Sequence, residues 1–128
     1  MYLKDKNIAI VGGGLVGSLL SVYLVKHGAR IFVFDKRDDI RLNQIGSGRS
    51  INLALSNRGI NALNQLGIDK SIISISMPMY KRIMHSVDSR LTEQPYGKKN
   101  ESIYSVSRHH LNCKLIDIAE QNSVIFSF

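Results

Sequence analysis

The apolar positions change period several times along the chain, and each change marks an element. Asn7 to Val11 is a short, largely apolar run closed by three glycines, the pattern of a buried parallel strand entering a tight turn. From Leu15 the period lengthens. Val16, Leu20, Tyr23, Leu24 and His27 fall at helical spacing as an apolar stripe, and Gly28 stands where a left-handed cap would close the helix. Arg30 to Phe34 is a second apolar strand. Strand, glycine turn, helix and strand within about 30 residues make one βαβ unit, whose crossover should be right-handed.

Lys36 to Ser50 has no apolar period and carries charges of both signs before Gly46-Ser47-Gly48, so it reads as a long loop of the kind that is usually functional or disordered. Ser56 then caps a helix running to about Leu66, with Ile60, Leu63 and Leu66 inward and Gly67 as its stop. Tyr80 to Ser86 and Ser102 to Ser107 are short extended stretches, and Pro95-Tyr96-Gly97 marks a turn between them, suggesting an antiparallel excursion. Ser107 is a good amino-terminal cap for a last helix. There Leu111, Leu115, Ile118 and Ala119 form the apolar face, and Asn122 could end it. Val124 to Phe128 begins another strand, and the chain stops within it. The expected fold class is therefore α/β: an incomplete Rossmann-type unit with an antiparallel excursion, residues 1–128 forming the first part of one dinucleotide-binding domain.

Gly12-Gly13-Gly14-Leu15-Val16-Gly17 satisfies G-x-G-x-x-G in the setting that gives it meaning, after an apolar strand and at the opening of a helix. Gly12 permits the tight turn, Gly14 lets a pyrophosphate approach the backbone, and Gly17 lets the helix pack near the strand. The phosphates would sit at the helix amino terminus, where free N–H groups and the dipole favour negative charge. Asp35, 18 residues after Gly17 at the end of the second strand, can accept hydrogen bonds from both ribose hydroxyls of an adenosine and would repel a 2′-phosphate. The site suits FAD or NAD and disfavours NADP. The fingerprint alone does not separate the first two, which share the ADP half.

Composition narrows the setting. At 128 residues the chain can bury one sizeable core, and 44% hydrophobic with 21% charged residues is ordinary for a folded soluble protein. The net charge of +7 raises nucleic acid, an anionic membrane surface and anionic small molecules as partners. The basic residues are scattered in pairs such as Lys36 with Arg37, Lys81 with Arg82 and Lys98 with Lys99, without a basic stripe, which argues against nucleic acid. Cys113 is the single cysteine, so no intrachain disulfide can form, and a reducing cytoplasm is the expected compartment. No apolar stretch approaches the length needed to span a bilayer, and no signal-peptide core opens the chain. The histidines His27, His85, His109 and His110 lack metal-ligand spacing, so no metal is expected. Ser47 lies outside any nucleophile-elbow pattern, so no catalytic side chain is assigned.

Four blocks of residues carry a family resemblance. They are the run from Gly48 through Arg49, Ser50, Asn52, Ala54 and Ser56 to Gly59; Met84-His85-Ser86; Pro95-Tyr96-Gly97; and Ser105-Val106-Ser107-Arg108 with Leu111-Asn112 after it. In order and spacing they resemble the kynurenine 3-monooxygenase family of class A FAD-dependent aromatic hydroxylases along essentially the whole chain. The resemblance implies that Gly12, Gly14, Leu15, Val16 and Gly17 hold the FAD pyrophosphate. It places Asp35 and Lys36 at the adenosine ribose, Arg37 and Arg41 on the neighbouring cofactor surface, Ala54 near the flavin, and Arg108 in contact with FAD. Arg82 and Tyr96, 14 residues apart, match the family's pair for the carboxylate of L-kynurenine. The guanidinium would fork onto the carboxylate and the phenol add one oriented bond.

The implied enzyme uses FAD, NADPH as reductant and O2 to convert L-kynurenine to 3-hydroxykynurenine in tryptophan degradation. Asn57 departs from the family's more frequent histidine without touching the flavin assignment. The remainder of the FAD sheet, a second flavin motif and a helical part lie beyond this sequence, so the segment alone should be inactive. Two other readings stand beside it: a different FAD-dependent hydroxylase or oxidoreductase of the same fold, and a non-catalytic dinucleotide-binding module.

Overall fold

Three parallel strands form the sheet that carries the glycine motif. In the computed structural model, β1 (Asn7–Val11) pairs with β2 (Arg30–Phe34), and β2 pairs with β8 (Ile125–Ser127), giving the order β1-β2-β8. The structure describes residues 2–42, 51–99 and 101–128. Its elements group into two units, one of Met1–Ser50 with Arg108–Phe128 and the other of Ile51–Ser107.

In the first unit β2 is the central strand, and its inward residues Ile31 and Val33 are fully buried. Helix α1 (Leu15–Lys26) returns from β1 to β2, and helix α4 (Arg108–Gln121) packs beside α1. The expected apolar face of α4, Leu111, Leu115, Ile118 and Ala119, is buried, and Ile116 is buried with it. At the end of α1, His27 and Gly28 donate back to the last-turn carbonyls, and Gly28 takes φ +94, as its placement after the last helical residue predicted.

The buried face of α1 differs from the apolar stripe. Val16 is 80% exposed and Leu20 and Tyr23 are exposed as well, whereas Ser18, Ser21 and Val22 are buried. Small side chains win this face because α1 lies close against α4 and the strands, and the serines satisfy their own hydroxyls. Ser18 Oγ donates to the Gly13 carbonyl and Ser21 Oγ to that of Ser18. β1 lies at the edge of the sheet, with Val11 exposed at its end.

The second unit contains β3 (Asn52–Leu55), α2 (Asn57–Gln65), α3 (Asp69–Ile73), β4 (Met77–Met79), β5 (Lys81–His85), β6 (Leu91–Pro95) and β7 (Ile103–Ser107). Here β7 is flanked by β3 and β4, antiparallel to both, over a core of Leu63, Leu66, Ile68, Ile72 and Val106. Ser56 occupies the cap position of α2 in extended backbone, though its side chain makes no capping bond, and Gly67 follows the helix at φ +68.

The excursion pairs differently from a hairpin of the two expected stretches. β5 pairs with β6, and the turn between them is Ser86 to Arg90, with Ser89 at φ +61. Polar Thr92, Glu93 and Gln94 hid β6 from a reading based on apolar alternation. The short α3 and β4 also carry no period long enough to read. Residues 43–50, with Gly46-Ser47-Gly48 and the opening Gly48-Arg49-Ser50 of the family block, lie outside the described residues.

Candidate dinucleotide and substrate sites

The glycine loop is shaped by sterics that each glycine relieves differently. Gly12 takes φ +106, a conformation closed to most side chains, and its N–H donates to the Phe34 carbonyl at 2.7 Å. A Cβ on Gly17 would stand 1.9 Å from the Gly12 carbonyl oxygen, so no other residue fits beneath the turn. A Cβ on Gly14 would meet nothing within 4 Å. The space beside Gly14 is therefore open, as a cradle for a phosphate requires. Gly14 precedes α1 without a side-chain cap, and no acidic residue stands in the first turn, so the N–H groups at Leu15, Val16 and Gly17 face no competing protein anion there. These residues fit a dinucleotide pyrophosphate.

Asp35 is held beside the glycine loop at the end of β2. Its side chain is 6% exposed, and Oδ2 accepts from the Gly13 N–H at 2.8 Å, which joins the end of β2 to the glycine loop. Arg37 forks onto the same carboxylate through Nε and Nη2, at 3.0 and 2.8 Å, while its own N–H donates to Oδ1. That fork, helped by the two backbone donors and outweighing the desolvation, holds the Asp35 carboxyl far below the usual carboxylate range. It is an anion throughout the neutral range. Lys36 between them is exposed.

Arg41 has a different set of partners. Its guanidinium forks onto Asp39 and also reaches Asp117 and Glu120 of α4, at 2.9 and 2.5 Å. Three carboxylates thus occupy the donors expected to face the cofactor. The observed geometry makes Arg41 a tie between the segment after β2 and α4, separate from the Asp35–Arg37 pair. Arg108 is exposed at the first position of α4.

In the second unit the register brings Arg82 and Tyr96 to one face of the hairpin. Arg82 stands opposite Gln94, and the Tyr96 N–H donates to the Tyr80 carbonyl at 2.9 Å, placing Tyr96 two positions along from Gln94 and diagonal to Arg82. Arg82 Nε donates to Gln94 Oε1 at 2.8 Å, and Nη2 reaches the same oxygen. A neutral amide steadies the guanidinium without consuming its charge, which leaves it able to take an anionic carboxylate. Tyr96 is 40% exposed. Ala54 is exposed on β3 opposite Ser105, a small side chain that would let a planar group approach.

The loop has two further supports that spacing did not mark. Ser18 and Asn112 both donate to the Gly13 carbonyl, at 3.1 and 3.3 Å, and Asn112 reaches it from 99 positions away in sequence. The available signal was a polar residue within the apolar face of α4, between Leu111 and Leu115. Among the described residues, no group of three or more His, Cys, Asp or Glu is placed to hold a metal ion, and no helix is long and apolar enough to cross a membrane.

The fold is of the Rossmann type, with its glycine loop between β1 and α1. Residues 10–62 match a family described as an NAD(P)-binding Rossmann-like domain. Solved oxygenases share the chain's fold. 2-Methyl-3-hydroxypyridine-5-carboxylic acid oxygenase superposes with a TM-score of 0.77 at 20% identity, covering 97% of this chain and 31% of that one. The flavin-dependent monooxygenase PieE, solved with FAD and substrate, superposes at 0.71 and 17% identity, covering 96% and 24%.

In sequence the chain is similar to proteins named kynurenine 3-monooxygenase. It is 50% identical over 125 residues to the protein from Christiangramia forsetii, covering 98% of this chain and 28% of that protein. It is 44% identical over 119 residues to that from Sus scrofa, covering 93% and 25%. The chain thus spans about a quarter of the length of the curated relatives it matches.

Proposed function

We propose that this chain provides the adenine-dinucleotide site and part of the substrate site of an FAD-dependent, NADPH-using monooxygenase that converts L-kynurenine to 3-hydroxykynurenine. The observation that carries the reading is the 50% identity, over 98% of the chain, to a protein named kynurenine 3-monooxygenase. The glycine loop and the Arg82 hairpin both fall within that span.

In this reading the N–H groups at Gly14, Leu15, Val16 and Gly17 bind the pyrophosphate, with Gly12 setting the turn. Asp35 accepts from the ribose hydroxyls, and Lys36 and Arg37 line the adenosine end. Arg41 acts on that surface by tying the following segment to α4. Arg108 adds a cation near the cofactor, Ala54 offers a small surface to the flavin, and Arg82 with Tyr96 orients the carboxylate of the amino-acid substrate. Bound FAD would supply the redox chemistry, taking electrons from NADPH and delivering them to O2. The residues of this chain bind and orient, so no side chain here need serve as acid or base.

The test is kynurenine-dependent NADPH oxidation by the full-length protein that the gene encodes, with the product identified. Formation of 3-hydroxykynurenine is expected. NADPH oxidation without that product would reassign the substrate to another aromatic ring within the same flavin fold, and FAD binding without any oxidation would favour a non-catalytic module.

A further inference from the structure

The Gly13 peptide lies between the pyrophosphate site and the ribose carboxylate, and it is held at both ends. Its N–H donates to Asp35 Oδ2 at 2.8 Å, and its carbonyl accepts from Ser18 Oγ at 3.1 Å and Asn112 Nδ2 at 3.3 Å. Both donors are buried, Ser18 at 0% and Asn112 at 8% exposure. They use both lone pairs of one oxygen.

A planar trans peptide points its C=O and its N–H in opposite directions. The carbonyl of Gly13 and the N–H of Gly14 belong to the same peptide unit. Two side chains that hold the Gly13 oxygen inward therefore aim the Gly14 N–H the opposite way, at a residue where an added Cβ would meet nothing within 4 Å.

Asn112 shows what this costs. With Nδ2 committed to Gly13, its Oδ1 is a buried acceptor with no partner among the described residues. Turning the amide over would set Oδ1 against the Gly13 oxygen, so the orientation is fixed by the carbonyl. A leucine of similar volume would avoid the orphaned acceptor altogether. The amide's worth at this position lies in its bond to the loop.

We propose that Asn112 and Ser18 are positioning residues for the dinucleotide: they fix the Gly13–Gly14 peptide so that the Gly14 N–H addresses the pyrophosphate while the Gly13 N–H holds the ribose carboxylate Asp35. The inference rests on the dinucleotide reading above and extends it to two side chains that do not touch the ligand. It also gives α4 a part in cofactor binding through Asn112, apart from Arg108.

The test measures FAD dissociation constants on full-length protein stripped of flavin, by quenching of flavin fluorescence, beside thermal melting of the apoprotein. Asn112→Leu should weaken FAD by about tenfold and Ser18→Ala by about threefold, the scale of one hydrogen bond. Ile116→Val, buried in the same helix without a bond to the loop, should leave the FAD constant within about twofold, because methylene loss acts on packing alone.

Asn112→Asp supplies a signature that a purely structural role would not give. Its buried acid can donate to Gly13 when protonated and repels that oxygen when ionised, so FAD should bind more weakly at about pH 8 than at about pH 6. Wild-type affinity in both Asn112→Leu and Ser18→Ala would overturn the proposal, as would equal weakening by Ile116→Val, or an Asn112→Asp affinity that does not vary with pH. Substituting NAD for FAD separates the two levels of inference. Wild-type protein that binds NAD and not FAD refutes the flavin reading while the same variants still report on the clamp; wild-type protein that binds neither refutes both.

Discussion

The glycine loop and the β5–β6 hairpin carry the two halves of the proposed chemistry, and they are built to opposite degrees of completeness. At the loop, nearly every polar group that shapes the site has a partner within the same unit: Gly12 on Phe34, Gly13 on Asp35, Ser18 and Asn112, and Asp35 on Arg37. The hairpin is exposed along all ten strand residues, and the side-chain partner of Arg82 is Gln94 on the facing strand. An isolated two-stranded ribbon is marginally stable in water. The comparison teaches that the proposed cofactor site is shaped by sterics within the first unit, whereas the proposed substrate pair would depend on a register of pairing in the second.

That contrast is broken most severely at Gly17. A Cβ there would lie 1.9 Å from the Gly12 carbonyl, and the obstacle is backbone that cannot swing aside. Gly17→Ala should abolish FAD binding and destabilise the protein by about 3 kcal/mol or more, the upper range for overpacking. Flavin content after purification, with apoprotein melting, checks both. Retention of FAD at wild-type affinity would show that the turn can open.

Arg82→Ala should act on the other half alone. Losing a charge-assisted fork onto a carboxylate costs about 2–3 kcal/mol, which corresponds to a KM for kynurenine raised by roughly thirty- to a hundred-and-fifty-fold. FAD affinity should be unchanged. A parallel loss of FAD would join the two halves that the comparison separates, and an unchanged KM would remove Arg82 from the substrate site.

The same contrast explains what was legible in the sequence. β1, α1, β2 and α4 announce themselves because each has a sustained period or a glycine at a position only glycine can fill, as at Gly12 and Gly28. The buried face of α1 did not, because close packing there selects Ser18 and Ser21 over the larger Val16 and Leu20, and a hydrophobicity pattern counts serine as surface. β6 was hidden by polar residues on a ribbon exposed on both faces, where no alternation is imposed. Of the proposed cofactor residues, those within the motif could be placed by spacing. Asn112 could not, since its partner lies 99 positions away and only the tertiary fold brings them together. Arg41 was expected on the cofactor surface, and its ties were hidden for the same reason: Asp117 and Glu120 meet it through the packing of α4.

The smallest expected effect concerns acid, and it sharpens the claim that the loop is complete in itself. Asp35 is held far below the ordinary carboxylate range by Arg37 and by the N–H groups of Arg37 and Gly13. In the unfolded chain the same group titrates near about 3.9. A carboxyl whose pKa is depressed on folding contributes stability that is fully present above the unfolded value and is lost as pH falls towards the folded one. Asp35→Asn should therefore lower apoprotein stability by about 1 kcal/mol at neutral pH, a figure reduced because Arg37 is half exposed and solvent screens the pair. The gap between wild type and variant should stay constant from about pH 8 to about pH 5 and close only below about pH 4. Denaturant unfolding at each pH gives the difference directly. A gap that closes between about pH 6 and 7 would mean that Asp35 titrates near neutrality, and hence that the fork from Arg37 and the Gly13 N–H do not hold the carboxylate as described.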